Sequence, residues 1–387
     1  MIAPSSVRLA FGRGEMSLRE KLWQVSWGLV LLVTLTSALG FLTLYSAGNG
    51  SLDPWALRQM ARFAIGMMVM LSAAMVDIRR WMRWSYGLYV LALVLLVVVE
   101  IKGSIGMGAQ RWVDLGVIQL QPSEVMKIAL VLALARYFHG ATWQETGNVV
   151  FLTPPILMVL IPVALVLKQP DIGTAMMLAL AAGAMFFLAG VRMWTFGLAI
   201  AAVAGAAPIA WKFMRDYQKQ RILTFLDPES DPLGAGYHIL QSKIALGSGG
   251  VFGKGFMLGT QSHLNFLPEK QTDFIFTMLA EEWGMVGGLV LLLLYLLIVV
   301  WGYAMSMRSR NQYGKLAGLG LTTTFFLYAF INIAMVMGLV PVVGVPLPLI
   351  SYGGTAMLTL LFGFGLILSI NIHRDTQIGR RGALDEV

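Results

Sequence analysis

Phe274 to Met305 reads FIFTMLAEEWGMVGGLVLLLLYLLIVVWGYAM, and this run decides the fold. Crossing the hydrocarbon core of a bilayer takes about 20 apolar residues in a helix, because backbone groups left unpaired there find no water. The run exceeds that length, so its helix can tilt or extend past the bilayer. Nine further stretches meet the same test: Val25 to Ala47, Ala56 to Val76, Trp84 to Ile101, Ser123 to Phe138, Val149 to Leu167, Ile172 to Ala189, Trp194 to Phe213, Leu316 to Leu339 and Ser351 to Ile372. The expectation is an all-α integral membrane protein of about ten transmembrane helices. Ser123 to Phe138, Ile172 to Ala189 and Trp194 to Phe213 are the weakest of them, being short or rich in Gly and Ala.

Composition agrees, with 57% hydrophobic and 12% charged residues in 387 and a mean hydropathy of +0.73, which excludes most soluble classes. Cysteine is absent, which removes disulfides, thiolate nucleophiles and Cys-based zinc sites. The net charge of +8 would suggest nucleic acid in a soluble domain. No basic patch interleaved with aromatics occurs, so no nucleic-acid partner is expected. The basic residues instead orient the helices.

Fourteen Lys and Arg fall on the side shared by both ends of the chain, whereas the opposite short loops hold Lys102, Arg111 and Lys168. The positive-inside rule then makes both termini cytoplasmic. Residues 1–24 form a cytoplasmic tail carrying Arg8, Arg13, Arg19 and Lys21, followed by an uncleaved first helix. Residues 25–372 form the membrane domain, and 373–387 a second cytoplasmic tail. Within the domain, 214–273 is a large external loop between the seventh and eighth helices. Its Tyr237 to Leu246 reads as a short amphipathic helix on the outer membrane surface. Gly247 to Gly259 has six glycines, able to bend sharply or approach a ligand closely. The GK[ST] signature of a nucleotide loop is missing.

Ionisable groups in or beside membrane helices are costly and therefore candidates for function. Glu124 and Lys127, three residues apart, share a helix face; they form either a structural ion pair capped by Ser123 or, with Lys127 and Arg111 facing a cavity, an anion site. Asp171 reads as a helix N-cap. Glu281 and Glu282 lie two turns into the eighth helix. Asp273 stands where the external loop meets an apolar helix. A cap explains that position; so does a general base, since an apolar wall raises a carboxyl pKa while an external substrate can still reach it. The four histidines, His139, His238, His263 and His373, have no metal-ligand spacing, and neither HExxH nor GxSxG occurs.

A set of longer motifs runs through these same segments: Gln110-Arg-Trp-Val-Asp-Leu-Gly, Gln121-Pro-Ser-Glu-Val-Met-Lys, Gln169-Pro-Asp-Ile-Gly-Thr, Asp227-Pro-Glu-Ser-Asp-Pro-Leu-Gly-Ala-Gly-Tyr-His, Gln241-Ser-Lys-Ile-Ala-Leu-Gly-Ser-Gly-Gly, Thr272-Asp-Phe-Ile-Phe and Pro346-Leu-Pro-Leu-Ile-Ser-Tyr-Gly-Gly. With them, in this order, the chain resembles the SEDS family of peptidoglycan polymerases over nearly its whole length. Gly259-Thr-Gln-Ser before Phe266-Leu-Pro-Glu looks more like the elongation branch than the division branch. Gln271 replaces a common His of the family, which puts any proton relay there in doubt, and Thr355 replaces the last small residue of the Ser-Tyr-Gly-Gly motif.

The resemblance implies the SEDS fold and glycosyl transfer on lipid II during cell elongation, at the outer face of the bacterial cytoplasmic membrane. An acceptor 4-hydroxyl would attack the donor anomeric carbon, undecaprenyl diphosphate would leave, and the α-linkage would become β. Asp273 matches the family's essential aspartate and would be the general base. Arg111, Glu124, Lys127, Asp171, Arg221, Lys243 and Ser351 would contact substrate, with Arg111, Lys127, Arg221 and Lys243 supplying cationic stabilisation. A divalent cation, Mg2+ or Mn2+, would fit the resemblance, although no coordination motif is present. The implied partners are a class B penicillin-binding protein and other membrane proteins of the elongation complex. Two other readings stand beside this one: a lipid II flippase, and a non-catalytic scaffold.

Overall fold

A computed structural model describes residues 16–106, 109–114, 119–214, 216–227, 235–264, 266 and 269–379. Each of the ten apolar runs forms a helix. They are α2 (Trp27–Ala47), α3 (Ala56–Met75), α4 (Ile78–Lys102), α5 (Pro122–Phe138), α6 (Val149–Lys168), α7 (Ile172–Leu188), α8 (Met193–Phe213), α12 (Ile275–Met307), α13 (Gln312–Val336) and α14 (Gly354–Ile372). Among the described residues, α2, α4, α6, α12, α13 and α14 are long and apolar enough to cross a membrane, and α7 and α8 are shorter apolar helices.

The core is built on α5, α13 and α14. In α13 and α14, 72% of the most apolar stretch is buried, against 22% in α6. The outer helices instead expose Leu157, Leu160, Leu293 and Leu296, a surface suited to lipid. Small residues let helices approach: a methyl at Gly365 of α14 would lie 2.5 Å from the Met70 carbonyl of α3, and one at Gly66 2.3 Å from Leu361. α4 begins earlier than its apolar run because Asp77 caps it, accepting from the Arg79 amide at 2.7 Å.

The all-α expectation needs amendment. Between α4 and α5 lie three short antiparallel strands, β1 (Ser104–Gly106), β2 (Ala109–Asp114) and β3 (Gln119–Leu120), in the order β1-β2-β3. The N-terminal tail holds α1 (Leu18–Gln24), closed by a capping box between Ser17 and Glu20. The long loop contains α9 (Asp216–Leu226), α10 (Ala235–Ser248) and α11 (Thr260–His263). α10 contains the expected amphipathic segment, but its Ile239, Ser242 and Ala245 are buried. Ser242 bonds Thr277 of α12 at 2.8 Å and the Val336 carbonyl of α13 at 2.9 Å, so this helix is docked onto the bundle.

The glycine-rich loop has a specific partner. α12 breaks at Gly284, whose φ of 66° is left-handed. Across the break, the amides of Met285 and Val286 donate to the Gly250 and Val251 carbonyls at 2.9 and 3.1 Å. In return, the amides of Lys254 and Gly255 donate to the Glu281 and Glu282 carbonyls at 3.0 and 3.1 Å. The loop thus satisfies backbone groups that the break would orphan. A methyl at Gly253 would lie 2.1 Å from the Glu282 carbonyl, so this close approach is to the protein's own helix.

Candidate active site

Asp273 sits one residue before the N-cap of α12. That cap is Phe274, so Asp273 is not itself the capping residue. The residue is half-buried and is seated from three directions. Asn332 of α13 donates to its carbonyl at 2.9 Å and to the Val345 carbonyl at 2.7 Å. The Ser351 hydroxyl donates to the Thr272 carbonyl at 2.6 Å while accepting from the Leu347 amide at 2.7 Å. The Tyr352 amide donates to the Gln271 carbonyl at 2.8 Å. Gln59 of α3 holds this loop in turn, donating to the Ser351 carbonyl at 2.9 Å. Gly344, with φ 69°, faces the carboxylate, and a methyl there would stand 3.4 Å from Oδ2.

Of the other predicted residues, Ser351 and the start of the Asp171 helix are tied to this seat by contacts. Asp171 caps α7, accepting from the Thr174 amide at 3.1 Å and the Thr174 hydroxyl at 2.8 Å. It also meets Arg111 Nε at 3.4 Å, and Arg111 Nη2 donates to the Pro170 carbonyl at 3.1 Å. The start of α7 abuts the segment opposite Asp273, since a methyl at Gly173 would lie 2.2 Å from the Val343 carbonyl. Ser351 is buried and acts through its two hydrogen bonds to the loop. Lys243 is exposed on α10, its stem lying over Gly338. Arg221 belongs to α9, and its side chain lies outside the described residues.

Glu124 and Lys127 form a sealed pair at 2.7 Å, with side chains 5% and 3% exposed. Tyr328 donates to the second oxygen of Glu124, and Lys127 lies 4.2 Å from the centre of the same ring. The pocket they line holds only about 30 Å3, room for water and not for a sugar phosphate. Ser123 does not cap this helix: the N-cap is Gln121, and Pro122 opens the helix. Near the seat, Lys270 is buried, and burial pulls its ammonium below the usual lysine range.

Glu281 and Glu282 are both buried and serve the break in α12. Glu281 accepts from Lys254 at 2.7 Å and from the Gln261 amide at 3.0 Å. Glu282 accepts from Ser46 and contacts His263 Nε2 at 3.1 Å, and His263 Nδ1 reaches Asn49 at 2.6 Å. Among the described residues, no group of three or more His, Asp or Glu is placed to hold a metal ion. Sequence reading missed Gln59, Tyr328 and Asn332: Tyr328 and Asn332 showed only as isolated polar groups in an apolar run, and Gln59 stands beside the more conspicuous Arg58.

Residues 21–376 match the family described as cell cycle protein, FtsW/RodA/SpoVE. The chain is 47% identical over 322 residues to the peptidoglycan glycosyltransferase MrdB of Escherichia coli K12, covering 82% of this chain and 85% of that one. It is 31% identical to the peptidoglycan glycosyltransferase RodA of Treponema pallidum, covering 89% and 97%. Among solved structures, it superposes on a chain of a peptidoglycan synthase complex with a TM-score of 0.79 and 32% identity, covering 91% and 99%. Rod shape determining protein RodA of Thermus thermophilus superposes with a TM-score of 0.69 and 28% identity, covering 91% and 98%. With the family match spanning residues 21–376 and the same bundle over 91% of its length, this chain belongs to the FtsW/RodA/SpoVE family.

Proposed function

We infer that this chain is a peptidoglycan glycosyltransferase of the RodA type, which polymerises lipid II during cell elongation. The observation that carries the reading is near full-length likeness to enzymes of that name. On this reading ten helices cross the bacterial cytoplasmic membrane, both termini are cytoplasmic, and the 214–273 segment and Asp273 face outward. Asp273 takes the proton of the acceptor 4-hydroxyl as that oxygen attacks the donor anomeric carbon, and undecaprenyl diphosphate departs with inversion. A positioned general base contributes roughly 100- to 10,000-fold. It is effective only when held in place, which the Asn332 and Ser351 bonds do.

A diphosphate is a competent leaving group, so the larger need is cationic stabilisation as its charge develops. Exposed Lys243 and partly exposed Arg111 are the candidates for that role. Lys127 is neutralised by Glu124 and joins α5 to α13. A class B penicillin-binding protein that crosslinks the new strand is the expected partner, with other elongation-complex membrane proteins; the structural relative is a complex described as coordinating polymerization and crosslinking.

The test supplies lipid II to the purified protein, alone and with its partner, and to the Asp273→Ala variant. Wild type is expected to make glycan polymer and the variant none. Polymer at the wild-type rate from Asp273→Ala would remove the general base. Movement of lipid II across vesicles without polymer would favour a flippase, and neither activity a scaffold.

A further inference from the structure

α3 carries Arg58 and Arg62 at its third and seventh positions, one turn apart on one face. These two charges lower the hydropathy of a 20-residue helix that is otherwise suited to cross a membrane. The surface around them is apolar and exposed, with Leu57 at 49% and Ile65 at 50%. Cations in such surroundings are costly and normally paired. Lys127, Arg111 and Lys254 each have a carboxylate partner. Arg58 and Arg62 have none among the described residues.

Arg62 is nevertheless held firmly. Its guanidinium carbon lies 4.5 Å from the centre of the Tyr352 ring. Its edge rests on Gly354, where a methyl would come within 3.1 Å of Nε. Nη1 is buried and makes no hydrogen bond among the described residues, and a buried donor in that condition calls for an explanation. Tyr352 and Gly354 belong to the loop that seats Asp273, so the unpaired fork is fixed beside the reacting region. The next residue, Thr355, lines an apolar groove of about 220 Å3 with Leu88, Val125, Leu358 and Phe362.

We propose that Arg62, assisted by Arg58, binds the phosphate groups of a lipid-linked anion that meets α3 from the bilayer. A planar guanidinium matches two phosphate oxygens at once and is weakly hydrated, which suits a site beside lipid. The anion is either a polyprenyl diphosphate or an anionic phospholipid headgroup, which present the same chemistry. Only the first identity rests on the activity proposed above. Binding itself requires no turnover.

The test measures binding of undecaprenyl diphosphate, phosphatidylglycerol and neutral undecaprenol to the full chain in phosphatidylcholine nanodiscs. Arg62→Gln and Arg62→Met are expected to weaken binding of the anion by about tenfold or more, as loss of a charged hydrogen bond does. Arg62→Lys should fall between them and wild type, and undecaprenol should be unaffected. A fall in Tm in Arg62→Met with anion affinity unchanged would make the guanidinium a brace on Tyr352 and overturn the proposal. A response confined to phosphatidylglycerol makes the site one for bilayer lipid. The proposal is overturned if Arg62→Gln binds both anions as wild type does, or if Lys and Gln at this position bind them equally. If Arg62 variants lose affinity while Asp273→Ala still polymerises, the catalytic reading falls and this one stands.

Discussion

The two ends of the first stretch of α12 hold their loops by different means. At its start, Asp273 is seated by neutral groups that grip the main chain of residues 271–273: an amide side chain, a hydroxyl and a backbone N–H. At its break, Glu281 and Glu282 hold the glycine-rich loop and the end of α2 with their own carboxylates. The difference separates acids by task. A carboxylate held by a lysine and a backbone amide anchors structure, whereas at Asp273 it is the main chain that neighbouring elements grip.

If that distinction is right, Asp273→Asn should reduce polymerisation of lipid II by roughly 100-fold or more and leave Tm in detergent unchanged. A large fall in Tm would erase the contrast. Glu281→Gln should do the reverse. It leaves Lys254 without a carboxylate partner, and thermal melting should show a loss of about 3 kcal/mol, the low end for breaking a buried pair because Lys254 is partly exposed. Adding Lys254→Met should restore part of that loss. Ser351→Ala strands the Leu347 amide and the Thr272 carbonyl, for about 1–3 kcal/mol, and lowers kcat more than KM, because it loosens the seat and not a substrate contact.

The smallest effect concerns pH. Lys270 has a folded pKa below its unfolded 10.5, so between those two values the unfolded chain binds more protons and stability rises with pH. Below the folded value both states are protonated and the slope vanishes. Lys270→Met should flatten this alkaline rise in Tm, and a rise that persists in the variant would assign it to another group.

The helices were legible because a run of apolar residues has one stable form in lipid. All ten runs are helical, and Asp171 caps α7 as its position suggested. What failed was local detail at the ends: neither Ser123 nor Asp273 is a cap, since Pro122 and Phe274 move each helix start by a residue or two. Strands of two to six residues between α4 and α5 left no alternating pattern long enough to read. The glycines of 247–259 announced a close approach without saying to what, and the answer lay in backbone carbonyls of α12. Asn332, Tyr328 and Gln59 became meaningful only once the fold placed them beside Asp273 and Glu124.

The break at Gly284 also bears on the order in which this protein assembles. Its amides at 285 and 286 and those at 254 and 255 are protected by each other's segments, so none is sheltered until loop and helix meet. The glycine-rich loop and the broken helix therefore open as one cooperative unit. In native-state hydrogen exchange these four amides should exchange together, at a rate set by undocking of the loop and not by fraying of α12.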